Sequence, residues 1–449
     1  MTYHFRPVER DQVFLLPPSI RDWLPSDHLA LFVLDAIEAL PADDLAPFYR
    51  RYRADGTGAA AYDPAMMATL LVYAYATGER SSRRIETLCR ESIAYRVITA
   101  NRVPDHVTIA RFRAQQETAL NHLFGAVLAL CARAGLGRLG MLALDGTKIA
   151  GATSLDATRT AATLDAEIAA MLAEAAAVDA AEDEEHGPER RGDELPAALA
   201  HRAARLERLR EARRQLDQEE ATRAAAEAER AARQADRAAA GRRTPGRKRT
   251  RERPPAEPRR SPGDPDSRTL RSQHGWVQGY NAQAVASEDG LIVAADLGAD
   301  ANDIGQLVPM AQRAAAGLAA AGLPMADRLL LADGGYWSEA NVVAAEASTA
   351  FTLLIPPWQP RRHQDQRRPP PPGRAAMIAR LANPDGEAAY KRRPVIIETI
   401  FAHLKAARGV RRFSRRGTRA CHSEWLLACT TYNLRKLWTV TLRARAAAG

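Results

Sequence analysis

The chain has 449 residues, 46% of them apolar, which is enough for two or three domains with proper cores and excludes a peptide-scale scaffold. Lys and Arg outnumber Asp and Glu by 63 to 54, and the charge of +9 favours an anionic partner, either nucleic acid or a membrane surface. No apolar run reaches the ~18 residues of a membrane span, the opening MTYHFRPVERDQ has no signal-peptide core, and Cys89, Cys131, Cys421 and Cys429 form no CxxC pair. A soluble intracellular protein with reduced thiols is expected, without a zinc ribbon or a disulfide framework.

Residues 1–135 read as an all-helical domain. MMATLLVYAYATGE, SSRRIETLCRES and TIARFRAQQETALNHLFGAVLALCARAG carry apolar residues at three- and four-residue spacing, punctuated by Pro64 and Pro104. In RVPDHVTIARFR, Asp105 or Thr108 is placed to cap a helix that carries Arg111 and Arg113. A helix-turn-helix DNA reader and a plain small bundle both fit this pattern.

GRLGMLALDGTKIAG then reads as a buried strand. Residues 155–262 break the composition: ARLERLREARRQLDQEEATRAAAEAERAARQADRAAA has strong helix formers and few large apolar residues, as in a long solvated helix or helical hairpin. The following RRTPGRKRTRERPPAEPRRSPGDP reads as a basic, Pro-rich linker. Beyond it GYNAQAVAS and LIVAADLG are strand-like, DIGQLVPMAQRAAAGLAAAG is helical, RLLLADGGY is a buried strand, SEANVVAAEAS is helical and AFTLLIPP is a strand. A final helix lies in YKRRPVIIETIFAHLKAARGVRRFSRRG, with Pro394 in its first turn.

Three acids stand at telling points of this layout. Asp145 ends or interrupts MLALD and Asp333 closes LLLAD, each followed by glycine, and ligand groups in open α/β sheets gather just beyond the carboxyl ends of strands. Glu398 is a lone acid in an apolar helical pattern, beside the stripe of Ile397, Phe401 and Leu404. Three convergent carboxylates suit Mg²⁺ or Mn²⁺, and two such ions can drive an in-line phosphodiester displacement. The basic run after Glu398 would hold a polyanion against this acidic mouth. Asn302 and Asp303 read as helix caps, Asp264 and Asp266 as linker turns, and Trp337 as a packing residue.

LALDGTK, GYNAQ, LLLADGGY and YKRRPVIIETIFAHLKAARGVRRF resemble the motifs of DDE transposases of bacterial insertion sequences. So do the helical YDPAMMATLLVYAYATGERSSRRIE and PDHVTIARFR. The resemblance implies an α/β fold: an RNase H-like catalytic domain (136–154 and 263–440) with a long helical insertion (155–262), preceded by an all-α DNA-binding domain (1–135). It implies that Asp145, Asp333 and Glu398 are the catalytic, metal-binding triad. Tyr390, Arg393, Glu398 and Lys405 match the family signature around the glutamate, although four residues rather than three separate Arg393 from Glu398, leaving the arginine's place open between Arg393 and Arg392. Tyr390, Arg393, Lys405, Arg408, Arg411, Arg412, Arg415 and Arg416 are expected to contact DNA. The implied partners are duplex DNA, as terminal inverted repeats and target, and a second copy of the chain in the DNA complex, in the bacterial cytoplasm at the nucleoid and away from membranes. A nuclease of the same fold without strand transfer and an inactive DNA-binding derivative are the alternatives.

Overall fold

The computed structural model describes residues 19–52, 60–138, 140–186, 197–239, 258–272, 275–325, 327–357 and 370–448. Seven helices open the described chain: α1 (Leu29–Glu38), α2 (Ala42–Tyr49), α3 (Pro64–Ala76), α4 (Ser82–Glu91), α5 (Ile93–Ile98), α6 (His106–Gln115) and α7 (Glu117–Arg133). α3 is apolar on every side and is buried from Met67 to Ala76, as a helix without a polar face must be. Asp63 caps it by accepting from the Met66 amide at 2.8 Å, and Pro64 fills its first turn. At α6 the cap is Asp105, which accepts from the Val107 and Thr108 amides, each at 2.9 Å.

The sheet contains β1 (Met141–Ala150), β2 (Arg268–Ser272), β3 (Gly275–Ser287), β4 (Ile292–Gly298), β5 (Arg328–Leu331) and β6 (Phe351–Leu354). Its order is β2-β3-β1-β5-β6, and β4 also pairs with β3. The β1, β2, β3 and β4 pairings are antiparallel, whereas β1–β5 and β5–β6 are parallel. Parallel neighbours need crossovers, so helices intervene before β5 and before β6. β2 was not foreseen: RTLRS is short and mixes charge with apolar residues. The expected strands are otherwise present in the expected order.

Between β1 and β2, α8 (Ala161–His186) and α9 (Ala197–Ala239) pack as a helical hairpin. Its base has a small core of Leu164, Leu209, Ala212 and Leu216, while α9 from Glu219 to Asp236 is solvent-exposed throughout. The expected basic linker lies mostly outside the described residues. Its return is pinned: Arg159 and Arg260 exchange backbone hydrogen bonds of 2.7 and 2.9 Å, and Arg260 pairs with Glu219. Asp264 accepts from the Tyr280 hydroxyl at 2.6 Å and the Gly417 amide at 3.0 Å; Asp266 accepts from the Thr418 amide at 2.8 Å. These two acids fix the return of the chain to the sheet, the turn role that their GDPDSR setting suggests.

After β4 come α10 (Leu307–Ala320), α11 (Glu339–Ser348), α12 (Pro372–Ala382), α13 (Pro384–Lys391), α14 (Arg393–Ala402) and α15 (Thr418–Ala448). One core joins α3, α7, α10 and part of α15 to one face of the sheet. A second core sets Ile396, Ile397, Ile400 and Phe401 of α14, with Trp425 of α15, on the opposite face. Trp337 packs half-buried against the first core, and all four cysteines are buried and free. Among the described residues no helix is long and apolar enough to cross a membrane.

Since Arg159 and Arg260 already meet as backbone partners, the hairpin can be removed without separating the strands on either side. Replacing residues 161–258 with a short Gly-rich turn is expected to leave soluble protein with one cooperative thermal transition. The transition should fall by about 2–4 °C for each kcal/mol lost with the small basal core. Wholly insoluble protein would show that the hairpin is required for folding.

Candidate active site

β1 does not end at Asp145 but continues to Ala150, so this acid interrupts a strand rather than closing one. The parallel register pairs Ala143 with Leu331, and two residues further along each strand lie Asp145 and Asp333. Side chains alternate along strands, so Asp145 projects on the same face as Ala143 and Leu331, the face covered by α14, and Asp333, just past the end of β5, lies near enough to act on its charge. Asp333 accepts from the Gly335 amide at 2.9 Å and so caps a short 3-10 turn, Gly334–Tyr336. Asp145 accepts from the Gly146 amide at 2.8 Å and, through its other oxygen, from Arg393 Nη1 at 3.2 Å.

Arg393 is the first residue of α14, and its Nη2 is 4.0 Å from Glu398 Oε1. Its two nitrogens therefore reach both a sheet acid and the helix acid. Arg392 turns away to pair with Glu288. The contacts thus place Arg393, and not Arg392, at the acids. Tyr390, in the last turn of α13, stands half-buried beside it; burial pushes its phenol up, and the Arg393 charge pulls it back. Past α14 the helix widens into a π-type turn, His403–Ala407, from which Lys405 Nζ donates to the Lys148 carbonyl at 3.3 Å. Burial and the nearby Arg411 push the Lys405 ammonium down, whereas Asp145 holds it up. Tyr390, Arg393 and Lys405 are thus gathered beside Asp145, and Glu398 is reached only through Arg393.

Burial pushes the Asp145 carboxyl above the usual carboxylate range; Arg393 and the Gly146 amide pull it back, and Asp333 adds a further push. A carboxyl raised on folding stabilises the fold while it is protonated. That contribution is complete below its unfolded value, about 3.9, and is lost as pH rises through the higher folded value.

Sequence reasoning missed a polar layer on the other side of the sheet. Asp303 makes no cap bond; its Oδ1 accepts from Asn281 Nδ2 at 2.6 Å, Gln283 Nε2 at 2.8 Å and Lys148 Nζ at 3.4 Å. Its expected role as a helix cap is corrected accordingly: the side chain looks across the sheet, not along the following turn. The buried Tyr336 hydroxyl donates to Gln283 Oε1. At Gly146 a Cβ would lie 2.3 Å from Gln283 Nε2 and 2.8 Å from Asp303 Oδ1, so any larger residue would push this layer aside. The available signal was the alternation in GYNAQ, which puts Asn281 and Gln283 on one face of β3.

The basic run divides. Arg408 is 6% exposed, donates to the Ala76 carbonyl at 3.4 Å, lies over the Tyr432 ring, and is pushed down to about 10 by burial and then by Arg435. Arg415 Nη2 pairs with Glu117 at 2.5 Å, with both side chains largely buried. The expectation that Arg408 and Arg415 contact DNA is therefore corrected: both are committed to the seam between the N-terminal helices and the sheet. Arg411, Arg412 and Arg416 are exposed.

Among the described residues no three His, Cys, Asp or Glu side chains close around a common point suited to a metal ion. The donor chemistry nevertheless fits a hard cation. Asp145 and Asp333 offer carboxylate oxygens, with Asp333 near enough to push the Asp145 carboxyl up, and Glu398 is tied to Asp145 through one guanidinium.

A helical N-terminal region on a mixed α/β sheet, with one acid in β1 and one just beyond the parallel neighbour β5, is compatible with an RNase H-like arrangement. Residues 18–115 match the family model of a transposase domain (DUF772), and residues 363–438 match that of the transposase DDE domain. Together the two matches support a DDE transposase of an insertion sequence. The second match contains Tyr390, Arg393, Glu398 and Lys405, whereas Asp145 and Asp333 lie outside both. No curated protein and no solved structure matches the chain.

The Arg393 contact can be tested by titration. In Arg393→Gln the carboxyl of Asp145 loses the cation that opposes its burial, so it should protonate at higher pH than in the wild type, followed by NMR of labelled aspartate. An unmoved titration would show that the ion pair does not exist in solution.

Proposed function

We propose that this protein is a DNA transposase that binds the ends of an insertion sequence and carries out metal-dependent cleavage and strand transfer at Asp145, Asp333 and Glu398. The observation that carries the reading is the placement of Asp145 and Asp333 side by side on β1 and just beyond β5, with Arg393 joining Asp145 to Glu398 on α14. Mg²⁺ or Mn²⁺, as one or two ions bound by these three carboxylates, would stabilise the attacking and leaving oxygens of an in-line displacement.

The rest of the chemistry falls to the chain itself. Water, or in the joining step a DNA 3′-hydroxyl, gives up its proton to solvent and forms the new P–O bond as the old one breaks, and the leaving oxygen takes a proton from solvent. Arg393 and Lys405 set positive charge beside the acids, where a non-bridging phosphate oxygen would otherwise meet only carboxylates. Tyr390 orients Arg393. Exposed Arg411, Arg412 and Arg416 supply phosphate contacts that neutralise the backbone without reading sequence. Sequence preference is assigned to the N-terminal helices, where Arg111 on α6 is exposed and Arg113 is held by the Tyr75 hydroxyl at 3.1 Å and the Arg80 carbonyl at 2.9 Å. A homodimer on paired element ends follows from a reaction that must handle two ends.

Asp145→Asn, Asp333→Asn and Glu398→Gln should each lower cleavage of element-end DNA by about 10²-fold or more while leaving DNA binding intact or stronger, because a negative charge near phosphate is removed. The assay uses purified protein, Mn²⁺ and the flanking ends. Near-normal cleavage by any one variant removes that residue from the triad, and wild-type product that is hydrolysed but never joined to target would make the protein a nuclease.

The exposed arginines have their own readout. Converting Arg411, Arg412 and Arg416 together to Gln should flatten the slope of log affinity against log salt by roughly 1–3 units on element ends and unrelated duplex alike. An unchanged slope would show that they face solvent or protein instead.

A further inference from the structure

At the foot of the helical hairpin a cleft of about 500 Å³ opens between α9, the returning chain at Pro258–Arg260, β2 and the loop after β4. Its walls include Arg259, Arg260, Arg268, Trp276, Glu219 and Asp300. Trp276 is 60% exposed at the start of β3. Arg260 is buried to 3% exposure; it gives Nη2 to Glu219 and Nη1 to the Arg259 carbonyl, while its buried Nε has no partner. Arg268 spends Nη1 on the carbonyls of Pro265, Asp266 and Ser267 rather than on a carboxylate, and Arg259 is exposed. An exposed indole face with the guanidinium groups of Arg259 and Arg268 on the same walls suits a partner that is both flat and anionic.

We propose that this cleft binds an unpaired DNA strand, with one base stacked on Trp276 and the adjoining phosphates taken by Arg259 and Arg268. An unpaired strand is favoured over a duplex because its base faces are free to stack, whereas those of a duplex are already occupied by neighbouring pairs. The cleft's position supports this occupant. The same loop that forms its wall at Ala299–Ala301 delivers Asp303 to Lys148 and Gln283, behind Asp145. Along β3, Trp276 stands eight residues from Ala284, the residue paired with Asp145, roughly 27 Å at the rise of a strand. A strand released next to the acids could extend along β3 to reach the cleft. The inference rests on the proposed DNA chemistry for its biological setting, but the binding itself does not depend on cleavage.

The test uses the full chain without divalent metal and two probes of equal label, a 12-nucleotide oligo(dT) and a duplex, read by fluorescence anisotropy. Trp276→Ala should weaken oligo(dT) binding by about 5- to 150-fold, the cost of one lost stacking platform, while duplex binding changes less than about twofold. Trp276→Phe, which keeps a stacking face, should retain most of the affinity, and Arg230→Gln on the exposed part of α9 controls for simple loss of charge. Arg259→Gln should reduce the single-strand salt slope by about 0.7. A 5-iododeoxyuridine oligonucleotide should photocrosslink to the peptide that contains Trp276. Unchanged oligo(dT) affinity in Trp276→Ala, an equal loss on both probes, or crosslinks confined to other peptides would overturn the proposal. Loss of cleavage in the acid variants, or its absence, is scored separately and leaves this outcome untouched.

Discussion

The guanidinium of Arg393 is the point on which the site depends. Asp145 projects from the middle of a strand into largely buried surroundings, with Asp333 as a like-charged neighbour, an arrangement that would otherwise drive one carboxyl to neutrality. Both Arg393 and Asp145 are mostly enclosed, at 11% and 17% side-chain exposure, so removing either partner of the pair is of the class that costs about 3–5 kcal/mol. The longer Arg393–Glu398 approach is different. Glu398 is 60% exposed, and such a pair contributes at most about 1 kcal/mol. Glu398 is thus held weakly, whereas Asp145 stays where the sheet puts it.

Arg393 reaches the acids because α14 is seated on the sheet by Ile396, Ile397, Ile400 and Phe401, each worth about 1.5–3 kcal/mol on burial. The segment beyond α14 anchors the helix a second time. Arg408 and Arg435 both donate to the Ala76 carbonyl at the end of α3, and Arg80 returns from the N-terminal helices to the Gly409 and Arg412 carbonyls at 2.6 and 2.7 Å and to Glu424 at 3.2 Å. Arg415 and Arg419 both hold Glu117 at the start of α7. The run after Glu398 therefore couples the helical region to α14 and leaves Arg411, Arg412 and Arg416 exposed.

Much of this was legible in the sequence, and for identifiable reasons. The Asp-Gly junctions after apolar runs marked Asp145 and Asp333, and Glu398 stood out as the lone acid in an apolar helix; hydrophobic patterning alone yields such features. Charge patterning cannot say whether an arginine is buried, so Arg408 and Arg415 looked the same as Arg411 and Arg416. Nor could it choose between Arg392 and Arg393, since the register at the entry to α14 decides which one faces the sheet. Asp303 read as a cap because Asp before a helical run usually is one; its true partners, Lys148, Asn281 and Gln283, come from strands far away in sequence. β2 was missed because pairing with β3, rather than its own composition, makes it a strand, and the π-type turn at His403–Ala407 has no sequence signature.

If the proposed chemistry holds, the three acids together form the seat of a divalent cation that takes over from Arg393 as the partner of Asp145. Titration of Mn²⁺ into the protein, with free ion counted by electron paramagnetic resonance, tests this directly and requires no DNA turnover. The expected result is saturable Mn²⁺ uptake by the wild type, weakened by each of Asp145→Asn, Asp333→Asn and Glu398→Gln and strengthened by Arg393→Gln, which removes the competing cation. Equal uptake by the wild type and all three acid variants would contradict a shared cation seat.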